Sequence, residues 1–360
     1  MKAFAYCNCN QQSLLQPVWL DMAQLIEFSN KGLYVPPADI YIDPWKPVNK
    51  AIITHAHADH SRYGMNHYLA HEDSANVMRL RLGDIHLSTL KYGESFVQNG
   101  VKFSLHPAGH IPGSAQVRVA YKGEVWVAGG DYNTEPDVRI CAPFEYVPCH
   151  TFITESTFAL PVFKWQKPET VFTAIKNHHA QNKAAGKITF LFAYSLGKAQ
   201  RIMAGLSGET DVFHTHGAVH NVNEALRKQG LDLPPDIRIT RDTKPADLSG
   251  KIVIAPPSAA GSTWIKRFKP RSTAFVSGWM RLRGTRRRRN VDNGFILSDH
   301  ADWDGLNKAV QATGAERLFV THGYTGVYAQ YWRDRGLDAR EVVTDYTGDE
   351  GSESENEEKA

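Results

Sequence analysis

The stretch Thr54-His55-Ala56-His57-Ala58-Asp59-His60 decides how this chain is read. It leaves the apolar run Ala51-Ile52-Ile53, which has the branched side chains of a buried strand. Three imidazoles and one carboxylate fall within six residues at that strand's end, where they can converge on one point, and this is metal-binding chemistry. An extended His-x-His puts the rings of His55 and His57 on one side, whereas Asp59 and His60 can turn toward a second ion. Two ions about 3.5–4 Å apart can clamp a phosphoryl group and lower the pKa of an attacking water.

Composition frames that chemistry. At 360 residues, with 42% hydrophobic and 22% charged side chains, the chain can bury a large core as one big domain or two intertwined ones. No apolar run approaches the ~20 residues needed to cross a bilayer, and Met1 to Gln12 lacks a basic-then-apolar leader pattern. The expectation is a cytoplasmic protein with no membrane partner. Cys7, Cys9, Cys141 and Cys149 show no CxxC pairing, so neither a disulfide framework nor a cysteine zinc site is indicated. The net charge of +3 hides an asymmetry: Asp345 to Ala360 carries seven acids against Lys359, leaving about +9 on the body, which suits a polyanionic partner. That final stretch is rich in Gly, Ser and Glu and reads as a disordered acidic tail.

Short β-rich runs alternate with helical patterns, so the fold class is α/β. Lys50–Thr54, Val101–Leu105, Glu124–Ala128 and Thr151–Thr154 read as strands in the first part. A second unit begins with the strand at Lys187–Ser195, broken by Gly197, and the helix at Lys198–Leu206. Its further strands are Asp211–Phe213, Lys251–Ala255 and Thr273–Val276. Phe295–Leu297, Leu318–Thr321 and Glu341–Thr344 read as strands returning to the first unit.

The HxHxDH string resembles the central metal motif of the metallo-β-lactamase superfamily, which needs further ligands at later strand ends. Pro107-Ala108-Gly109-His110-Ile111-Pro112-Gly113-Ser114 looks like the next motif, with His110 as ligand. Ala128-Gly129-Gly130-Asp131-Tyr132 looks like the motif whose aspartate bridges the ions, and Ile40-Tyr41-Ile42-Asp43 ends where the family keeps an aspartate bonded to a ligand histidine. Farther on, the likeness narrows to the β-CASP branch, which processes nucleic acids. Its three extra motifs are matched by Thr154-Glu155-Ser156-Thr157-Phe158, by Ser298-Asp299-His300-Ala301-Asp302 and by Val320-Thr321-His322-Gly323. Tyr194-Ser195-Leu196-Gly197-Lys198-Ala199-Gln200 resembles the strand-to-helix turn of the inserted domain. Phe275-Val276-Ser277-Gly278-Trp279 resembles a Gly-Trp strand end of DNA cross-link repair nucleases. Across roughly residues 40–325 the chain looks most like the bacterial ligase-associated DNA exonucleases.

The resemblance implies an αββα metallo-β-lactamase sandwich in residues 1–170 and 291–344, a β-CASP insertion in 171–290, and the tail in 345–360. It implies one zinc held by His55, His57, His110 and Asp131 and another by Asp59, His60, Asp131 and His322, with Asp43 bonded to a ligand histidine. Manganese is the alternative working metal. His300 is the candidate acid for the leaving 3′-oxygen, oriented and kept protonated by Glu155, although an acid followed by Ser-Thr is also a cap pattern.

Nucleic-acid contacts are expected from the basic stretch between Trp264 and Asn290, which holds ten basic residues and no acid. They include Arg281, Arg283, Arg286 and Arg287. Lys198 and the hydroxyl and backbone donors of Ser156, Thr157, Ser277 and Gly278 join them, with Trp279 and Trp264 as base-stacking or core side chains. The implied activity is a DNA exonuclease acting from a 5′ end, in a repair setting beside an ATP-dependent DNA ligase and a helicase. His322 favours RNA instead, because RNA-directed relatives carry a histidine there and the eukaryotic DNA-directed ones usually do not. A metal-free scaffold subunit and a small-molecule hydrolase are weaker alternatives. The first leaves seven candidate ligands unused, and the second leaves the insertion unexplained. His214, His216 and His220 have metal-like spacing but lack a nearby carboxylate in sequence.

Overall fold

The structure, a computed structural model, describes residues 24–137 and 139–346. Cys7, Cys9, the Met1–Gln12 start, the tail from residue 347 and the side chain of Arg286 lie outside the described residues. Among the described residues no helix is long and apolar enough to cross a membrane.

The chain is α/β, built on three sheets. In the first, six strands lie in chain order from Glu27–Phe28 to Leu87–Leu90, with Ile40–Ile42, Lys50–Ile52 and His67–His71 running parallel in the middle. The second has seven strands in the spatial order Asp338–Glu341, Arg317–Gly323, Thr151–Ser156, Glu124–Ala128, Ala115–Tyr121, Val101–Pro107 and Ser95–Gln98. These two sheets face each other across one core, in which Ile40, Ile42 and Ile52 meet Phe103, Leu105, Val117 and Trp126. Alternation explains the pairing: in Val101–Pro107 the residues Val101, Phe103 and Leu105 point inward while Lys102 is exposed. Helices Trp303–Thr313 and Thr325–Arg333 cover the other face of the second sheet, and helix Ala75–Leu82 covers the first.

The third sheet lies in the chain between Thr151–Ser156 and Arg317–Gly323, which are themselves parallel neighbours. Its six strands are all parallel, with Ile188–Phe192 central and every residue of that strand buried. Both faces are covered, as a continuous apolar run demands. Leu191 and Ala193 pack with Phe172, Ile202 and Met203 on one side, and Phe190 and Phe192 pack with Phe268 and Met280 on the other.

Two sequence expectations shift. Asn293–Phe295 pairs with Arg271–Val276, so Phe295 completes the third sheet and does not return to the second. A short apolar run carries no register, and a partner strand decides where it pairs. Asp345 and Tyr346, read with the disordered tail, are placed against the first sheet: the Tyr346 hydroxyl donates to the Asp43 carbonyl at 3.1 Å.

What positions the site is the seam between these units. Ala204, Val222, Ala225 and Leu226 of the third-sheet region pack with Val77, Met78 and Leu82 and with Ile111. That contact carries the turn at Leu196 onto His57, whose Nε2 lies 3.3 Å from the Leu196 carbonyl.

Candidate metal centre

Each polar side chain of the centre leaves the end of a strand. Asp43 follows Ile40–Ile42, the histidine loop follows Lys50–Ile52, Asp131 follows Glu124–Ala128, Glu155 ends Thr151–Ser156, and His322 ends Arg317–Gly323. Parallel neighbours place such ends side by side, so residues far apart in sequence meet at one edge of the sandwich.

Asp131 is the hub. Its Oδ2 lies 3.6 Å from His55 Nε2 and 3.9 Å from His110 Nε2, while its Oδ1 lies 2.9 Å from His322 Nε2 and 3.6 Å from His60 Nε2. One oxygen therefore faces each histidine group. Ligand atoms of His55, His57, His110 and Asp131 all lie within 4.8 Å of one another, as do those of His60, Asp131 and His322, and those of Asp131, Glu155 and His300. Asp59 is buried beside this assembly, with Oδ2 3.8 Å from His60 Nε2, but stands outside those three sets.

Hydrogen bonds behind the rings fix which nitrogen faces inward. Asp43 accepts from the Thr54 amide at 2.7 Å, from the Thr54 hydroxyl at 2.5 Å and from His60 Nδ1 at 2.8 Å. Its backbone sits in the left-handed region at φ 44, which an aspartate tolerates better than most residues. The Thr54 hydroxyl has one proton, given to Asp43, so it accepts from His55 Nδ1 at 3.0 Å. His110 Nδ1 donates to the Asp299 carbonyl at 2.9 Å, and His57 Nε2 faces the Leu196 carbonyl. A carbonyl can only accept, so the inward atoms of the neutral rings, His110 Nε2 and His57 Nδ1, carry lone pairs. Those two atoms are 3.1 Å apart. Two lone pairs at that separation repel unless a proton or a metal cation lies between them.

Other polar atoms make the same demand. His55 Nε2, His60 Nε2, both ring nitrogens of His322 and Asp131 Oδ1 are buried without a hydrogen-bond partner among the described residues. The 2.9 Å approach of His322 to Asp131 is a charge contact that is not aligned as a hydrogen bond. Each buried orphan costs about 1–3 kcal/mol, so the donor set fits cations. Electrostatics agree. Burial opposes charge on His60, but Asp131, Asp59 and Asp43 outweigh it and push its pKa up to about 10. Burial and the neighbouring His60 drive His55 well below its ordinary range. Burial also opposes charge on Asp131, but His322 and His60 hold its carboxyl well below the usual range.

His300 and Glu155 meet next to the hub. His300 Nδ1 lies 2.9 Å from both Glu155 oxygens, and Glu155 Oε1 also accepts from the Tyr132 amide at 2.8 Å. The rings of His300 and His110 are 4.5 Å apart.

The residues expected to grip nucleic acid divide. Ser156 Oγ lies 2.9 and 2.6 Å from the carbonyls of Thr321 and His322. Thr157 is buried, and Ser277 Oγ accepts from the Trp279 amide at 3.3 Å. Lys198 is buried, 3.5 Å from Asp299 Oδ2. Gly278 is pressed against Phe158, Ser298 and Trp165, which brings the Ser277–Trp279 turn beside the His300 loop. Trp279 is half-buried against Phe158 and Phe163, whereas Trp264 packs on Phe190 and Phe268. Arg281, Arg283 and Arg287 are exposed. His220 and Arg227 pair with Asp236, a carboxylate distant in sequence, and these residues form no three-ligand cluster.

No family model matches the chain. A protein of Opitutus terrae named "Probable DNA ligase" is 30% identical over 329 residues, 89% of this chain and 31% of that relative. Endoribonuclease YSH1 of Eremothecium gossypii is 30% identical over 120 residues, 32% of this chain and 15% of that relative. The chain thus spans less than a third of the length of these curated relatives. A crystal structure of a protein of unknown function from Enterococcus faecalis V583 superposes with a TM-score of 0.55, over 75% of this chain and 74% of that one. At 11% identity that likeness concerns the fold alone.

Sequence reasoning missed the supports. Arg81, half-buried under the histidine loop, donates to the Ala56 carbonyl at 2.6 Å, and Arg62 Nε donates to the Asp59 carbonyl at 3.2 Å. Arg201 reaches the Ser298 carbonyl and lies 3.4 Å from Asp299 Oδ1. An arginine that bonds a distant carbonyl leaves no motif.

Proposed function

We propose that this chain is a metal-dependent phosphodiesterase of the metallo-β-lactamase fold with an inserted β-CASP domain, acting as a DNA exonuclease from a 5′ end on single-stranded or frayed strands. The observation that carries this reading is Asp131, which turns one carboxylate oxygen to His55 and His110 and the other to His60 and His322. That is how one aspartate serves two cations. In this reading His55, His57, His110 and Asp131 hold the first, and His60, Asp131, His322 and Asp59 hold the second. Residues 1–170 and the stretch after Phe295 to 344 form the catalytic domain, and the insertion, expected at 171–290, runs on to Phe295 because Asn293–Phe295 pairs within the third sheet.

Two divalent cations, zinc or manganese, would supply positive charge to polarise the phosphodiester and to lower the pKa of the attacking water. The chain's own residues do the rest. Glu155 fixes the His300 ring through Nδ1, and Nε2 would deliver a proton to the leaving 3′-oxygen as the P–O bond breaks. The exposed Arg281, Arg283 and Arg287 lie in the segment that follows the Ser277–Trp279 turn, from which they would neutralise backbone phosphates. The likeness over 329 residues to a protein named as a probable DNA ligase supports DNA as substrate and work on ends that a ligase joins; a helicase as a further associate is implied by the motif resemblance alone.

His322 carries a second reading, a ribonuclease. It stands 2.9 Å from Asp131, and the shorter likeness is to a protein named as an endoribonuclease. End-labelled DNA and RNA of one sequence, digested in parallel by wild type and Asp59→Ala, decide between the two. The expected result is stepwise loss from the DNA 5′ end, abolished in the variant. Preferential loss of RNA selects the second reading, mid-strand products remove the exonuclease assignment, and an unaffected variant removes this centre from the chemistry.

A further inference from the structure

The chain returns to the metal centre once more after His322. Beyond the strand Asp338–Glu341, Arg62 Nη2 donates to the Asp345 carbonyl at 2.6 Å, while the same guanidinium's Nε holds the Asp59 carbonyl. The next residue, Tyr346, lays its ring on the imidazole of His60, with centroids 4.4 Å apart and planes 10° from parallel. It meets Trp45 nearly at right angles, with centroids 5.5 Å apart, and its ring lies 5.7 Å from that of His322. With the hydroxyl bond to the Asp43 carbonyl, Tyr346 is fixed from several sides.

Its place in the fold is the crevice between the first two sheets, behind the second cation position. Tyr346, Asp43, Thr54, His60, Gly130 and His322 line a cavity of about 10 Å³, room for no more than a single water. Tyr346 therefore fills the inner wall of the half of the centre formed by His60, Asp131 and His322.

Besides the ring of His55, 4.2 Å away within the centre, two contacts from outside the ligand set orient His60. The Nδ1 bond to Asp43 selects the tautomer and pins one edge of the ring, but a single bond leaves the ring free to tilt about it. The parallel face of Tyr346 removes that tilt. Together they aim Nε2 at Asp131 Oδ1, 3.6 Å away. Outer partners of a ligand histidine typically change metal affinity by 10–100-fold when removed.

We propose that Tyr346 is a positioning residue for His60, clamped by Arg62 through the Asp345 carbonyl, so that docking of this C-terminal segment and occupation of the second cation position are coupled. The inference rests on the reading of His60, Asp131 and His322 as ligands.

The test is zinc stoichiometry and affinity by chelator competition on the full chain, with melting temperatures of the metal-free and zinc-loaded forms, for wild type, Tyr346→Phe, Tyr346→Leu and Tyr346→Ala. Wild type should bind two zinc ions. Tyr346→Ala should keep the first constant, weaken the second about 10–100-fold, and gain less melting temperature on zinc addition. Tyr346→Phe, which keeps the flat ring, should stay within a few-fold of wild type. Tyr346→Leu keeps the crevice filled without the ring; it should follow Tyr346→Ala, and it gives the same measurement if the alanine variant does not fold. Wild-type affinity for both ions in the Ala and Leu variants, with or without a lower metal-free melting temperature, overturns the proposal while the ligand reading stands. A phenylalanine variant as impaired as alanine overturns the ring stack as the cause. A wild-type chain that binds no zinc sinks the ligand reading and this inference with it.

Discussion

His300 presents Nδ1 to Glu155 at 2.9 Å from both carboxylate oxygens, with both side chains buried. A buried carboxylate that also accepts the Tyr132 amide cannot swing away, so the imidazole has one orientation. General acid–base groups contribute roughly 10²–10⁴-fold to rate. His300→Ala should lower kcat on end-labelled DNA by about that factor with KM little changed. Glu155→Gln should fall between wild type and His300→Ala, because the amide keeps the contact and loses the charge. A kcat for His300→Ala within threefold of wild type would count against the proton-transfer role.

The orphaned ring nitrogens predict a metal-dependent stability. A ligand that binds the folded state alone adds about 2.7 kcal/mol when present at 100 times its dissociation constant. For a chain of this size that corresponds to roughly 3–4 °C. Protein stripped by chelator should therefore melt lower by about that much and recover on zinc addition, read by scanning calorimetry. Equal melting temperatures with and without zinc would contradict the fit of the donor set.

Thr54 joins two of the buried groups, giving its proton to Asp43 and accepting from His55 Nδ1. Thr54→Val is close in shape but removes both bonds, leaving a buried carboxylate and a buried imidazole each short of a partner. The expected cost is about 1–3 kcal/mol in urea unfolding, with weaker zinc binding because the His55 tautomer is no longer selected. Thr54→Ser should be much closer to wild type.

Gly323 follows His322 with φ +95, and a Cβ there would stand 2.3 Å from the Ser156 carbonyl oxygen. Both the left-handed backbone and the close approach exclude a side chain. Gly323→Ala should destabilise by more than about 1 kcal/mol and lower activity more than that loss explains, since the shift acts directly on His322. An active variant with wild-type stability would show that this loop is looser than its contacts indicate.

His71 predicts a pH dependence away from the metal centre. It is buried, stacks on Tyr92 at 3.6 Å, and its Nδ1 accepts the Asp73 amide, a bond that protonation would abolish. Burial lowers its pKa to about 4, from 6.5. The unfolded chain then binds more protons between those values, so stability rises with pH across that window and is lost as pH falls from about 6.5 toward 4. His71→Gln should show a shallower loss of unfolding free energy between pH 7 and 4.5 than wild type. Parallel curves would rule this histidine out as a source of the acid sensitivity.

By itself the sequence determined the local chemistry. A branched apolar run followed by His55, His57, Asp59 and His60 marks a metal loop at a strand end, and short runs of branched and aromatic residues mark the strands that carry Asp131, Glu155 and His322. Local rules reach no further than the strand itself. Tertiary structure alone decided that Asp131 faces two histidine groups with separate oxygens, because that depends on which strand ends become neighbours. It also decided that Phe295 belongs to the third sheet and that Tyr346 lies under His60. Tyr346 stands among acids and small polar residues, where composition reads as tail, and only the crevice between two sheets gives its ring a surface to cover. Contacts of this kind depend on shape across long chain separations, and a linear pattern holds no record of them.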